Sequence, residues 1–183
     1  TTLFERAISK NIDISKHITG WKAPFVNSLI SSKTFRYLAE KMLKVDRRRI
    51  LPQYSNQSLE SWYSQHYKRT DNKKKVALFA DTYINYHEIE VGKAAIQLLN
   101  QCGYEVVLAS VGCCQRPRIS NGFLTEAKAA GTITAQNLQA YIDQGLKVVV
   151  CEPSCTSAFL DDLPDLLDDS TLGESSKKAE VHD

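Results

Sequence analysis

Long apolar runs are missing from this 183-residue chain. None approaches the roughly 18 residues needed to span a bilayer, so no membrane-crossing helix is expected. The opening residues, Thr1-Thr2-Leu3-Phe4-Glu5-Arg6, lack the apolar stretch of a secretory signal, and without an initiator Met the chain is expected to be an excised fragment. Glycine is scarce at eight residues, and neither a Gly-x-Gly-x-x-Gly nor a Walker loop occurs, which leaves nucleotide binding without a phosphate cradle. Zinc-finger spacing and aromatic RNA-binding motifs are absent as well, so nucleic acid is not an expected partner. His17, His66, His87 and His182 show no metal-ligand spacing, and His87 is expected on the surface. What remains, 43% hydrophobic and 24% charged, is an ordinary globular balance that excludes wholesale disorder.

Cysteine is absent from the first 101 residues and then crowds in as Cys102, Cys113, Cys114, Cys151 and Cys155. An odd count without a secretory signal points to a reducing compartment and so to a cytoplasmic location. Clustered cysteines there more often serve metal or redox chemistry than disulfide staples. Cys102 falls inside the apolar stripe of a helix and is expected in the core. Charge is also unevenly placed. Residues 1–75 hold 16 Lys/Arg against 6 Asp/Glu, whereas residues 76–183 hold 7 against 15. The basic half can dock on an acidic partner or on the anionic cytoplasmic face of a membrane as a peripheral contact, or it can simply be a solvated surface.

Helical spacing occupies residues 3–14 and 25–45, broken at Gly20 and Pro24; Phe25, Leu29, Phe35, Leu38, Met42 and Val45 form an amphipathic stripe expected to pack. Residues 50–72 read as a polar, aromatic-dotted connector lying on another surface. From Lys75 the pattern changes. Val76-Ala77-Leu78-Phe79-Ala80 suits a strand buried on both faces, residues 91–101 a helix closed by Gly103, and residues 104–109 a second strand. Residues 119–144 predict two helical pieces broken at Gly131, with Thr134 capping the second and Gly145 ending it. Residues 146–150 predict a third strand and 154–167 a helix broken at Pro164. The fold class is therefore α/β: a small three-layer parallel sheet with flanking helices, preceded by an N-terminal helical appendage. The expected units are a basic appendage and connector over 1–72, a cysteine-rich α/β domain over 73–169 and a flexible tail over 170–183.

In an open parallel sheet, functional groups gather just past the carboxyl ends of the strands. Those positions hold Asp81 and Thr82, then Gly112, Cys113, Cys114 and Gln115, then Cys151, Glu152, Pro153, Ser154 and Cys155. Four cysteines spread over 43 residues thus fall on one rim. Ser154 can cap the following helix, leaving Cys155 in its first turn, where amides and the positive helix end favour a thiolate. Neighbouring Cys113 and Cys114 point in different directions in an extended or turn geometry, which suits a multi-iron cluster better than a single zinc. Buried, inert cysteines are the competing reading. Arg116 and Arg118, flanking Pro117, can balance an anionic cluster or hold a partner carboxylate.

Residues 112–128, which open Gly112-Cys113-Cys114-Gln115-Arg116-Pro117-Arg118, together with Cys151-Glu152-Pro153-Ser154-Cys155, carry a family resemblance. They are similar to the cysteine-rich CCG domain of heterodisulfide reductases and glycolate oxidase iron–sulfur subunits. They match most closely the C-terminal region of bacterial FAD-linked oxidases fused to iron–sulfur modules, which include D-lactate and D-2-hydroxyglutarate dehydrogenases. The resemblance covers residues 50–168 and extends to the 79–92 segment and to Leu51-Pro52 through Trp62. It implies an electron-transfer module of a 2-hydroxy acid oxidoreductase, with no catalytic residue of its own. FAD and the ferredoxin-like cysteine motifs would lie upstream, and an electron acceptor would be a partner. It further implies an iron–sulfur cluster, such as a 4Fe-4S centre, held by Cys113, Cys114 and Cys155, with Cys151 or Asp81 completing the set. Thr82 stands where many such domains have their first cysteine, and Gln115 replaces the glycine of the triplet. Those departures leave open a degenerate, cluster-free domain that supports the flavin domain.

Overall fold

The computed structural model describes residues 3–69 and 74–167. The expected boundary at residue 72 and the expected tail over 170–183 fall outside the described residues. Four helices open the chain: α1 (Leu3–Ser9), α2 (Asn11–Ile18), α3 (Ala23–Ser31) and α4 (Lys33–Leu43). A connector follows, carrying α5 (Leu59–His66), and then the α/β unit. This unit runs β1 (Lys74–Phe79), α6 (Thr82–Tyr86), α7 (Ile89–Gln101), β2 (Tyr104–Ala109), α8 (Arg116–Ser120), α9 (Leu124–Ile142) and β3 (Lys147–Val149). It closes with α10 (Pro153–Ser157), a π turn over Ala158–Asp162 and α11 (Leu163–Leu166). The three strands are parallel in the order β2-β1-β3, with Val76 opposite both Val106 and Lys147. The expected α/β class with a helical N-terminal region is what the chain adopts.

Strand β1 organises the molecule because its apolar run is buried on both faces. Side chains alternate across a strand. Ala77 and Phe79 accordingly enter one core with Ala109, Leu138 and Ala158, while Val76 and Leu78 enter another with Leu59, Ile84 and Ile96. The connector contributes to the second core through more than surface contact. Leu59 is fully buried, and a Cβ placed on Gly92 would collide with its Cδ2, so α5 and α7 approach closely only because residue 92 is glycine. From the same segment the Tyr63 hydroxyl donates to Val106 O at 2.7 Å, and Val106 N donates to the Tyr67 hydroxyl at 3.1 Å.

Several local expectations are corrected. Gly131 does not break a helix: α9 runs through it, and its missing side chain admits Leu163, whose Cδ2 would lie 2.6 Å from a Cβ there. Thr134 is not a cap but a buried residue within α9, its hydroxyl donating to Ala130 O at 3.1 Å. Pro24 sits in the first turn of α3, where a missing N–H costs nothing, and so opens a helix rather than ending one, whereas Pro164 follows the π turn without breaking the helical backbone that runs from α10 into α11. Cys102 caps the C-terminal end of α7 and is exposed, not core. Most of the stripe on α3 and α4 does not pack within the described chain, Phe35 and Val45 alone being half-buried. Phe25, Leu29, Leu38 and Met42 are exposed, and α3 turns Ala23 inward instead.

His87 is half-buried rather than a free surface side chain. Its Nδ1 lies 2.8 Å from Gln53 O and its Nε2 3.1 Å from the hydroxyl of fully buried Ser15. The ring therefore ties α2, the connector and the end of α6 together, flanked by Tyr54 and Tyr83. Burial holds its pKa below the ordinary 6.5, against an upward pull from the Gln53 carbonyl. A base whose folded pKa is depressed stabilises the fold when neutral, so stability is fully present above about pH 6.5 and declines as pH falls toward the lower folded value.

Two outcomes are expected. Gly92→Ala should lower stability by about 1–3 kcal/mol through overpacking against Leu59, read as a shifted urea midpoint; an unchanged midpoint would refute the close approach. The urea midpoint of the native chain should fall as pH drops below about 6.5, and that slope should flatten in His87→Gln.

Candidate functional site

Parallel strands send all three of their exit loops to one edge, and the fold brings the cysteines together there. The loop after β2 and the first turn of α10 meet, placing Cys114 Sγ 2.8 Å from Cys155 Sγ. Cys113 lies against Cys114 and beside the Thr82 hydroxyl, so the two neighbouring thiols do not diverge as expected. All three cysteines are buried in the core that contains Phe79, whose ring meets Phe159 edge-on at 5.0 Å. Cys151 shares the rim but not this pocket. It is half-buried, packs with the opposite core and faces Asp81. Among the described residues, no three His, Cys, Asp or Glu side chains are disposed to share one metal ion. That arrangement is not a single-ion chelate.

Electrostatics at the rim follow from burial. Cys113 is pushed far above the ordinary thiol range by the Cys114 thiol and by loss of water. Cys114 is drawn down by Cys113, but the Cys155 contact and burial outweigh that pull and lift it to about 12. Burial, then the Asp81 carboxylate, raises Cys151 to about 11. These three are therefore protonated at neutral pH. The expected cap also moves: Glu152 rather than Ser154 caps α10, its Oε1 accepting from Ser154 N at 3.3 Å, while Cys155 does fall in the first turn.

Asp81 is 1% exposed and does two things. Its Oδ1 accepts from Tyr83 N at 2.7 Å and Ile84 N at 3.2 Å, capping α6, while its Oδ2 has no hydrogen-bond partner. Burial raises its pKa against the downward pull of those two amides. An unpaired buried carboxylate oxygen is costly, so Asp81 Oδ2 marks a place where a further electropositive group would be welcome.

The arginines are spent internally. Arg116 bonds to the Ser157 hydroxyl, donates from Nε to Ser154 O at 3.3 Å and pairs with Asp162 at 2.8 Å, stapling the two cysteine loops together. Arg118 donates to Gln115 Oε1 at 2.7 Å and faces Asp13 of α2 at 3.9 Å. The first two helices thus roof the rim: Ile8 and Ile12 line a small opening shared with Thr82, Cys113 and Gln115. Nothing in the sequence foretold that roof. Gln115, by contrast, left a signal by standing in a glycine's place. Its φ is +64°, the left-handed region, and its amide answers the strain by donating to Cys113 O at 2.7 Å while accepting from Arg118.

The fold and the gathered thiols support a class, a cysteine-rich domain of the CCG type. Comparison with known proteins gives particular relatives. The chain is 33% identical over 154 residues to a subunit of the anaerobic glycerol-3-phosphate dehydrogenase of Escherichia coli (strain K12), covering 82% of this chain and 39% of that protein. It is 31% identical over 106 residues to lactate utilization protein A of Bacillus subtilis (strain 168), covering 57% and 42% respectively. Over 86 residues it is 31% identical to lactate utilization protein A of Bacillus velezensis, covering 46% and 34%. The chain spans between about a third and two-fifths of the length of these curated relatives. No family model and no solved structure matches it.

Substitution at residue 115 should separate strain from bonding. Gln115→Ala keeps the left-handed backbone and loses both amide bonds, whereas Gln115→Gly loses the bonds but relieves roughly 1–2 kcal/mol of strain. The alanine variant should therefore melt at the lower temperature; equal melting temperatures would show that the backbone there is unstrained.

Proposed function

We propose that the chain is an iron–sulfur electron-transfer module of an oxidoreductase, with Cys113, Cys114 and Cys155 as cluster ligands and Asp81 or Cys151 completing the set. The observation that carries this reading is the meeting of three cysteines from two distant loops in one buried pocket at the carboxyl edge of the sheet. The donor chemistry fits. Three soft sulfurs suit iron–sulfur binding, and the unpaired Asp81 Oδ2 on the same rim, next to the Thr82 that stands in a cysteine's place, offers a replacement oxygen. Bound there, the cluster would accept and release single electrons. The chain's own residues hold the thiols in place, shed water from around them through Phe79, Phe159 and Ile12, and keep the two loops joined through Arg116.

The finer reading extends the same proposal. Electrons would come from a 2-hydroxy acid oxidised at an FAD elsewhere in the assembly, and two of the relatives are named for lactate, which belongs to that chemical class. Ferredoxin-like domains and an acceptor would be the other partners, with the basic helices in peripheral contact with a cytoplasmic membrane face. A second reading, a cluster-free domain that only supports the flavin domain, is favoured by Thr82 in the place of a cysteine and by the protonated state of Cys113 and Cys114.

Anaerobic purification of the full chain, reconstitution with iron and sulfide, and metal and sulfide analysis decide between the two. Retained iron and sulfide, lost at least tenfold in Cys114→Ser and Cys155→Ser with folding preserved by circular dichroism, is the expected result. Colourless, iron-free protein after reconstitution under reductant would overturn it.

A further inference from the structure

Cys114 and Cys155 are 41 residues apart in sequence, yet their sulfurs stand 2.8 Å apart. That is about 0.8 Å beyond a disulfide bond of about 2.05 Å, so the bond needs only a small side-chain adjustment. The other cysteines are poor rivals. Cys113 adjoins Cys114 directly in the chain, Cys151 packs in the opposite core, and Cys102 is exposed at the far end of α7. The pocket is closed to bulky thiol reagents, with Cys114 2% and Cys155 5% exposed. The small opening beside it, lined by Ile8, Ile12, Thr82, Gln115 and Arg118, reaches Cys113 but neither Cys114 nor Cys155. An oxidant must therefore be about the size of water, which a peroxide is and a tripeptide disulfide is not.

We propose that Cys114 and Cys155 form a peroxide-responsive dithiol that closes into a disulfide and, while closed, withdraws both sulfurs from iron. In the first step one thiol takes an oxygen from hydrogen peroxide, giving a sulfenic acid and one water. The second thiol then attacks that sulfur: the S–S bond forms, the S–O bond breaks, and hydroxide leaves with the thiol proton as a second water. Two electrons pass from the sulfur pair to peroxide. A dithiol reductant returns two electrons and two protons and reopens the pair. The dithiol stands on the sulfur geometry alone, whereas the withdrawal from iron rests on the cluster-binding reading.

Peptide mapping tests the first half without any cluster. The full chain, reduced and iron-free, is treated with hydrogen peroxide, alkylated and digested. One intramolecular disulfide joining the Cys114 and Cys155 peptides is expected, with two alkylatable thiols lost per chain and regained with dithiothreitol. The same bridge should persist in Cys113→Ser and Cys151→Ser. Another pairing, or thiols that remain free or advance to sulfinic acid, would overturn the proposal, and because the native chain reports this, no variant need fold. Reconstitution tests the second half. The oxidised chain should take up at least tenfold less iron than the reduced chain. Equal loading with the disulfide intact would overturn the gating. If neither form loads iron while the disulfide maps as expected, the cluster-binding reading has failed, the gating falls with it and the dithiol stands.

Discussion

The parallel pairing of β1 with both of its neighbours is the constraint on which the rest depends. Because β2 and β3 run in the same direction as β1, the chain must leave each strand at the same edge, and residues separated by dozens of positions become neighbours. A single reversed strand would send one cysteine loop to the opposite end of the molecule. The burial of β1 on both faces secures that pairing. Val76 and Leu78 bind the layer that contains α5 and α7, while Ala77 and Phe79 bind the layer that contains the thiols. The pocket is therefore an extension of the hydrophobic core, which explains why its three sulfurs are dry and why the Cys113 and Cys114 thiols are held protonated.

The pocket is defined as much by what surrounds the sulfurs as by the sulfurs themselves. Gln115 accepts an unfavourable backbone conformation so that the turn after Cys114 can enter α8, and its amide links Cys113 to Arg118. Arg118 reaches on toward Asp13 of α2, and Arg116 crosses to α10 and Asp162. The first of these contacts joins α2 to the α/β unit. The uneven charge noted in the sequence finds a partly internal use elsewhere, where Arg69 and Lys75 face Glu105 at 3.9 and 3.7 Å, although the exposed residues of α3 and α4 take no part in it.

Legibility varied with the range of the interaction. Strands β1 and β2 could be read because a continuous apolar run bounded by polar residues has few alternatives, and the rim followed from topology alone. Helix α6 escaped notice, since five residues carry no periodicity and its start depends on the Asp81 cap. Gly131 and Thr134 looked like a break because local propensity cannot register Leu163 arriving from 32 positions away. His87 and Cys102 exchanged their expected places for the same reason. One is enclosed by a connector whose path no local pattern encodes, and the other lies just past the helix whose stripe it seemed to share. The contact of Cys114 with Cys155 rather than Cys151 depends on the turn geometry of α10, which spacing alone leaves undetermined.

The tyrosines of the connector bear on how this sheet can meet other chains. β2 lies at one margin of the sheet, and the Tyr63 and Tyr67 hydroxyls already occupy the outward carbonyl and amide of Val106. An incoming strand from another polypeptide would have to displace both before it could pair there. At the other margin β3 offers only Lys147–Val149, too brief a template for stable strand addition. Neither border invites intermolecular β-pairing, so the three strands stay a closed unit although no barrel encloses them.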